Sequence, residues 1–333
     1  MGRGLGAAAT AALIGLAALA ATSAAEPAKP AGKEVLPVRV WDIPSVERLP
    51  DDERGRLARY GRSIFEATYA HVGPEVADPA KRFAGNNLAC KNCHLNGGFK
   101  KFGLPVIGAA ADYPAYSARS GAPASLVERL NGCMTRSMNG RPMPAGLTEM
   151  RALVSYLDIL STGIRADAEV IGKGAGRMPE LARAADPARG RAIYADKCAL
   201  CHRSGGEGLR RGLPGDALGY LVPPLWGPDS FNDGAGMNRL ITAANFVHAN
   251  MPNGTDWTAP VLGVEDAWDV AAYVVSQPRP HKADLAADFP DKLAKPIDTP
   301  YGPYADGFSE QQHKYGPFGP IAAKVKALDA ARK

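Results

Sequence analysis

Two pentapeptides of this chain carry the residue types for covalent cofactor chemistry: Cys90-Lys91-Asn92-Cys93-His94 and Cys198-Ala199-Leu200-Cys201-His202. Cys-x-x-Cys-His is the attachment pattern of a c-type haem. The two thiols add across the haem vinyl groups, and the adjacent imidazole, His94 or His202, is placed to bind the iron from one side. The chain has 333 residues with five cysteines and six histidines, so two such runs are a strong signal for two covalently bound haems c. The fifth cysteine, Cys133, is left without a partner.

The residues around Cys133 read as a helix with an unusual face. Ser125-Leu126-Val127-Glu128 forms a capping box, with Ser125 as N-cap and Glu128 three residues on. Arg129, Cys133 and Ser137 then follow at four-residue steps and share one side of the helix. A neighbouring arginine favours the thiolate, and a thiolate is a good soft ligand for iron. The plainer alternative is a small buried thiol that only packs. Each iron needs a sixth ligand, and around the second motif the foremost candidate is Met251, in Asn250-Met251-Pro252. Met237 and His248 are alternatives. The matching register near the first motif offers Met138, and Met143 before Pro144, so there Cys133 competes with two methionines.

An internal repeat supplies the elements that hold these residues. Gly61 and Phe65 before the first motif, and Gly190 and Tyr194 before the second, share one Gly-x-x-x-aromatic pattern. After the motifs, Gly146 and Tyr156 match Gly263 and Tyr273 on amphipathic helices. Between motif and helix, Pro105-Val106-Ile107-Gly108 mirrors Pro224-Leu225-Trp226-Gly227, and a proline carbonyl, from Pro105 or Pro224, is expected to hold the second ring nitrogen of the ligating histidine. These segments resemble class I cytochromes c, in which the glycine lets the first and last helices cross closely. The expected fold is mainly α: two class I cytochrome c-type domains in tandem, at 51–165 and 186–280, with extended N- and C-terminal segments. Residues 26–50 are an N-terminal extension, 166–185 a glycine-bearing linker, and 281–333 a tail whose aromatic residues pack across both domains.

The start of the chain reads as an export signal over 1–25: Arg3, an apolar run from Leu5 to about Ala21, and small residues before a cleavage site near Ala25. The run is short and alanine-rich for a membrane anchor, since a span needs about 20 apolar residues. Export places the protein in the periplasm, with no stable membrane insertion after cleavage. The formal charge of +5 is modest, and no dense basic stripe suggests nucleic acid as a partner.

Three blocks carry a further resemblance. Asn131-Gly132-Cys133-Met134-Thr135-Arg136-Ser137-Met138-Asn139-Gly140, the run from Pro223 to Met237, and Gln312-His313-Lys314-Tyr315-Gly316-Pro317-Phe318 are similar to the signatures of dihaem thiosulfate dehydrogenases. The resemblance implies that Cys133 is the distal ligand of a catalytic first haem and that Met251 ligates an electron-relaying second haem. It implies a substrate site of Arg119, Arg129, Cys133 and Ser137, and coupling of two thiosulfates to tetrathionate. The two electrons would leave for a soluble acceptor, a small cytochrome c or a copper protein. Asn250 stands where some family members have a lysine that competes with the methionine, so no lysine–methionine exchange is expected. The rival readings are a non-catalytic dihaem electron carrier, a sulfur transferase that works on a carrier protein, and the same enzyme running in the tetrathionate-reducing direction.

Overall fold

The computed structural model describes residues 1–2, 43–166 and 168–332. Apart from its first two residues, the expected leader at 1–25 lies outside the described residues, as does most of the 26–50 extension. All the described elements belong to the unit running from Leu36 to Lys333.

Helices dominate, and they fall into two similar sets. The first comprises α1 (Glu53–Glu66), α2 (Thr68–Val72), the distorted turn α3 (Leu95–Gly98), α4 (Leu126–Arg136) and α5 (Thr148–Ile159). The second comprises α6 (Pro187–Lys197), α7 (Ala199–His202), α8 (Leu240–Asn250) and α9 (Val264–Ser276). In each set the first and last long helices cross at a glycine. A side chain at Gly61 would collide with the Ala152 carbonyl and Tyr156, and one at Gly190 with the Asp269 carbonyl and Tyr273. These are the close crossings that the repeated Gly-x-x-x-aromatic pattern predicts. Two short antiparallel hairpins complete the fold: β1 (Ala115–Ser117) with β2 (Ala122–Ala124), and β3 (Leu209–Arg210) with β4 (Tyr220–Val222).

Each set encloses its own apolar core. Ile64, Phe65, Met150, Leu153 and Tyr156 lie in the first, and Tyr194, Leu240, Trp268, Val270 and Val275 in the second. The segments outside the domains add to these cores. Val46 packs into the first, and Met178 and Ala185 pack into the second. The 166–185 stretch is therefore more than a spacer. Its left-handed Gly172 and Gly174 turn their carbonyls to the amides of Phe102 and Leu104, while Met178 N–H donates to Asn245 Oδ1. Beyond α9 the tail forms α10 (Glu310–Tyr315) and α11 (Phe318–Ala331). Phe318 and Ile321 insert into the second core, and Asp298 takes Arg239 beside the start of α8. Asp288, by contrast, reaches the first domain. No helix among the described residues is long and apolar enough to cross a membrane.

Candidate active site

The first site is assembled from three short pieces of chain. The 3-10 turn Cys90–Asn92 presents the first thiol, with Thr68 Oγ1 3.3 Å from Cys90 Sγ. His94 follows, its Nδ1 2.6 Å from the Leu104 carbonyl, so the other ring nitrogen is the one available to face Cys133. The α4 helix brings Cys133 next to His94. Its N-terminus is closed as the sequence predicts: Ser125 Oγ accepts from Glu128 N–H, and the Glu128 carboxylate takes Ser125 N–H.

On α4, Arg129 Nη1 donates to Cys133 Sγ at 3.1 Å. Burial by itself would raise the Cys133 thiol. The Arg129 charge and the facing His94 ring outweigh it and bring the thiol down to about 6. Burial instead pushes Cys90 up to about 11 and Cys93 to about 12, and the Cys133 charge adds to both. The three thiols and the His94 ring thus lie close enough to act on one another's charge. This donor set fits a covalently held haem: two neutral thiols that would bind its vinyl groups, and an imidazole nitrogen and a thiolate that would ligate its iron. Met138 and Met143, the competing candidates, are packed in the first apolar core at 3% and 1% exposure. Asn131 further pins Met143 through both its backbone N–H and its carbonyl.

The second site repeats the scheme with less polarity. Cys198, raised to about 11 by burial and then by its neighbour Cys201, and His202 stand together. His202 Nδ1 lies 2.9 Å from the Pro223 carbonyl. In both sites the acceptor is therefore one residue earlier than the expected Pro105 and Pro224. The carbonyl belongs to the peptide bond whose nitrogen is the proline's, so that bond carries no N–H of its own. Met251 follows the last residue of α8, with its N–H on the Val247 carbonyl. Met237 sits in the 3-10 turn Gly236–Asn238 and His248 within α8 itself.

The other expected site residues divide. Ser137 caps the C-terminus of α4, and its N–H reaches the Cys133 carbonyl. Arg119 is not bonded to the Arg129–Cys133 pair. It is anchored on the tail, where Nη1 donates to Asp288 Oδ2 at 2.7 Å and to the Tyr301 hydroxyl at 3.0 Å. Both bonds use Nη1, so the edge formed by Nε and Nη2 takes no part in the anchoring. Arg136, one turn beyond Cys133, shares the same carboxylate at 2.7 Å. Its Nε and Nη1 are buried without a partner. Burial first, and then the Arg119 charge, lower its pKa.

Sequence reasoning missed four contributors. Tyr113 lies close enough to Arg129 to favour its charged form, and nothing in its local pattern marks it. Asp288 and Tyr301 come from the tail, far along the chain. Arg136 lay in view, three residues after Cys133.

Comparison with known proteins decides the family. A thiosulfate dehydrogenase of Stutzerimonas stutzeri is 40% identical over 242 residues, 73% of this chain and 74% of that one. The chain belongs to the thiosulfate dehydrogenase family. The enzyme of Thiomonas intermedia is 37% identical over 261 residues, 78% of each chain. Residues 80–166 match the SoxA/TsdA cytochrome c domain and residues 187–278 the cytochrome c domain. A solved thiosulfate dehydrogenase (TsdBA) from Marichromatium purpuratum superposes with a TM-score of 0.64 at 36% identity. The match covers 73% of this chain and half of that one. The chain is therefore an oxidoreductase of sulfur metabolism, built from two cytochrome c domains in tandem and carrying two covalent haems c.

Proposed function

We infer that this protein oxidises thiosulfate, joining two molecules through their outer sulfurs to give tetrathionate. The observation that carries the reading is the grouping of Arg129, Cys133 and His94: a cation-supported thiolate next to an imidazole, with two further thiols close by. Cys90 and Cys93 would hold the first haem covalently, with His94 and Cys133 on its two faces. Cys198 and Cys201 would hold the second, with His202 and Met251 as its ligands and Met237 as the alternative thioether. The bound haems supply one-electron acceptors, which the chain's own residues lack, and a route to an external acceptor.

The remaining chemistry falls to side chains. Thiosulfate is a dianion, and two of them repel each other, so the site needs fixed positive charge. Arg129 and Arg119 offer guanidinium edges suited to the paired oxygens of a sulfonate. Ser137, one turn beyond Cys133, is placed to add a hydroxyl. The Cys133 thiolate attacks the outer sulfur of one thiosulfate. A cysteine S-thiosulfonate forms as two electrons leave. The outer sulfur of the second thiosulfate then attacks that same sulfur, releasing tetrathionate and restoring the thiolate. Atoms and charge balance over the two steps. The N-terminal signal reading places this chemistry in the periplasm, where a small cytochrome c or copper protein would take the electrons.

The test is ferricyanide reduction by the purified dihaem protein, with and without thiosulfate, alongside measurement of tetrathionate. Cys133→Ala is expected to keep both haems and lose turnover. Full activity in that variant overturns the reading.

A further inference from the structure

The segment carrying Met251 meets the loop that holds His94, and a single side chain joins them. Asn250 is the last residue of α8 and is fully buried. Its Nδ2 donates to the Phe246 carbonyl on its own helix at 3.0 Å and to the Phe102 carbonyl of the other domain at 2.9 Å. Phe102 lies two residues before Leu104, whose carbonyl holds His94 Nδ1.

This loop is not in a relaxed state. Phe102 and Leu104 both have left-handed backbones, with φ of 55° and 53°, a region that residues other than glycine seldom occupy. Such a conformation persists only where the surroundings impose it. Four contacts do so here. The Gly172 and Gly174 carbonyls take the two amides, and Leu95 N–H takes the Gly103 carbonyl. The fourth is Asn250 on the Phe102 carbonyl. Gly103 itself has no room to be another residue, because a Cβ there would press on Lys100, Leu95 and Asn250 Oδ1.

The use of Asn250 is one-sided. Its Oδ1 is buried with no partner. An unpaired buried acceptor costs stability, so packing alone does not account for an amide here. The donor end is what the fold uses. The same contact area is also closed by Lys100 Nζ on the Thr255 carbonyl and by the Phe102 and Trp257 rings, with centroids 4.7 Å apart.

We propose that Asn250 is a positioning residue that ties the two haem sites together. Through the Phe102 carbonyl it fixes the loop that orients His94 at the first site, while its covalent neighbour is the ligand assigned to the second. A change beside Met251 is therefore read at the other haem. The coupling is mechanical and runs through two hydrogen bonds, Asn250 on the Phe102 carbonyl and His94 on the Leu104 carbonyl, and the backbone between them. It rests on the ligand assignments above, but its test does not involve substrate.

The experiment uses the dihaem protein with Asn250→Leu, Asn250→Asp and Lys100→Met. Leucine removes the donor and the unpaired acceptor together, so thermal stability is expected to hold or rise. Aspartate keeps the shape and loses the donor. Both are expected to shift the EPR g-values and the reduction potential of the first, thiolate-ligated haem. Lys100→Met removes a contact at the same interface without touching the Phe102 carbonyl, and is expected to leave that signal in place. A first-haem signal unchanged in either Asn250 variant overturns the proposal. An equal shift in Lys100→Met also overturns it, because general loosening of the interface would then suffice. Failure of the thiosulfate assay would count against the proposed reaction and leave this spectroscopic result standing.

Discussion

Arg129 Nη1 lies 3.1 Å from Cys133 Sγ, one turn earlier on the same helix. The pair is the electrostatic centre of the first site: the thiolate raises the arginine's pKa, as the arginine lowers that of the thiol. A hydrogen bond to a charged group contributes about 1.5–3 kcal/mol, so Arg129→Met is expected to lower kcat/KM by about 10- to 100-fold. Haem content, read by pyridine haemochrome, stays at two per chain. Steady-state kinetics with activity within twofold of the parent would remove Arg129 from the site.

Arg119 is held differently, and its loss should read differently. Asp288 and Tyr301 fix Nη1, while the remaining edge suits an anion. Arg119→Ala is expected to raise the KM for thiosulfate by about tenfold, the loss of about 1.4 kcal/mol of binding. The change in kcat should be much smaller. A kcat that falls with KM unchanged would place Arg119 in the chemical step instead.

The crossing of α6 over α9 tolerates no side chain at Gly190. Forcing one in moves two packed helices apart, an overpacking that costs about 1–3 kcal/mol. Gly190→Val is expected to lower the thermal midpoint by several degrees and to reduce haem attachment at Cys198 and Cys201. Calorimetry and haem-stained gels would show both effects, and a midpoint within one degree of the parent would contradict the crossing geometry.

Asp269 beneath that crossing makes the second domain sensitive to acid. The carboxylate is fully buried and accepts from Arg183, Arg189 and Asp186 N–H. Burial by itself would raise its pKa, but these donors outweigh it and hold the carboxyl below its ordinary value. A depressed carboxyl contributes stability that is present at neutral pH and lost as pH falls through its folded pKa. Asp269→Asn is expected to destabilise the domain by about 1.5–3 kcal/mol at neutral pH, the contribution of hydrogen bonds to a charged group. The variant should also lose part of the acid dependence. Denaturant titrations at neutral and acidic pH check both points.

Much of the site was legible because its key contact is local. Arg129 and Cys133 lie four residues apart on one helix, and that spacing makes them neighbours in any α-helix. The same holds for the capping box at Ser125 and Glu128. The helix crossings were legible because a repeated glycine records an approach that only a missing side chain permits. Arg119 is the opposite case. Its partner Asp288 is 169 residues away, in a tail whose sequence period is weak, so spacing carries no information about the contact. The proline rule failed by one residue for a related reason: the sequence shows which peptide bond lacks an N–H, but not which carbonyl faces the ring.

The tail has a consequence for how the molecule is completed. Asp288 lies after both haem motifs and after α9, yet it anchors cations of the first domain. Both haem-attachment motifs precede it in the chain, so the segment that carries the cofactor cysteines and the segment that anchors these two arginines are separate. A chain stopped before residue 288 would contain every haem-attachment cysteine and the Arg129–Cys133 helix, and would still hold Arg119 and Arg136 without their common carboxylate. The last part of the polypeptide acts as a clasp: Arg119 and Arg136 share a carboxylate that neither haem-attachment segment supplies.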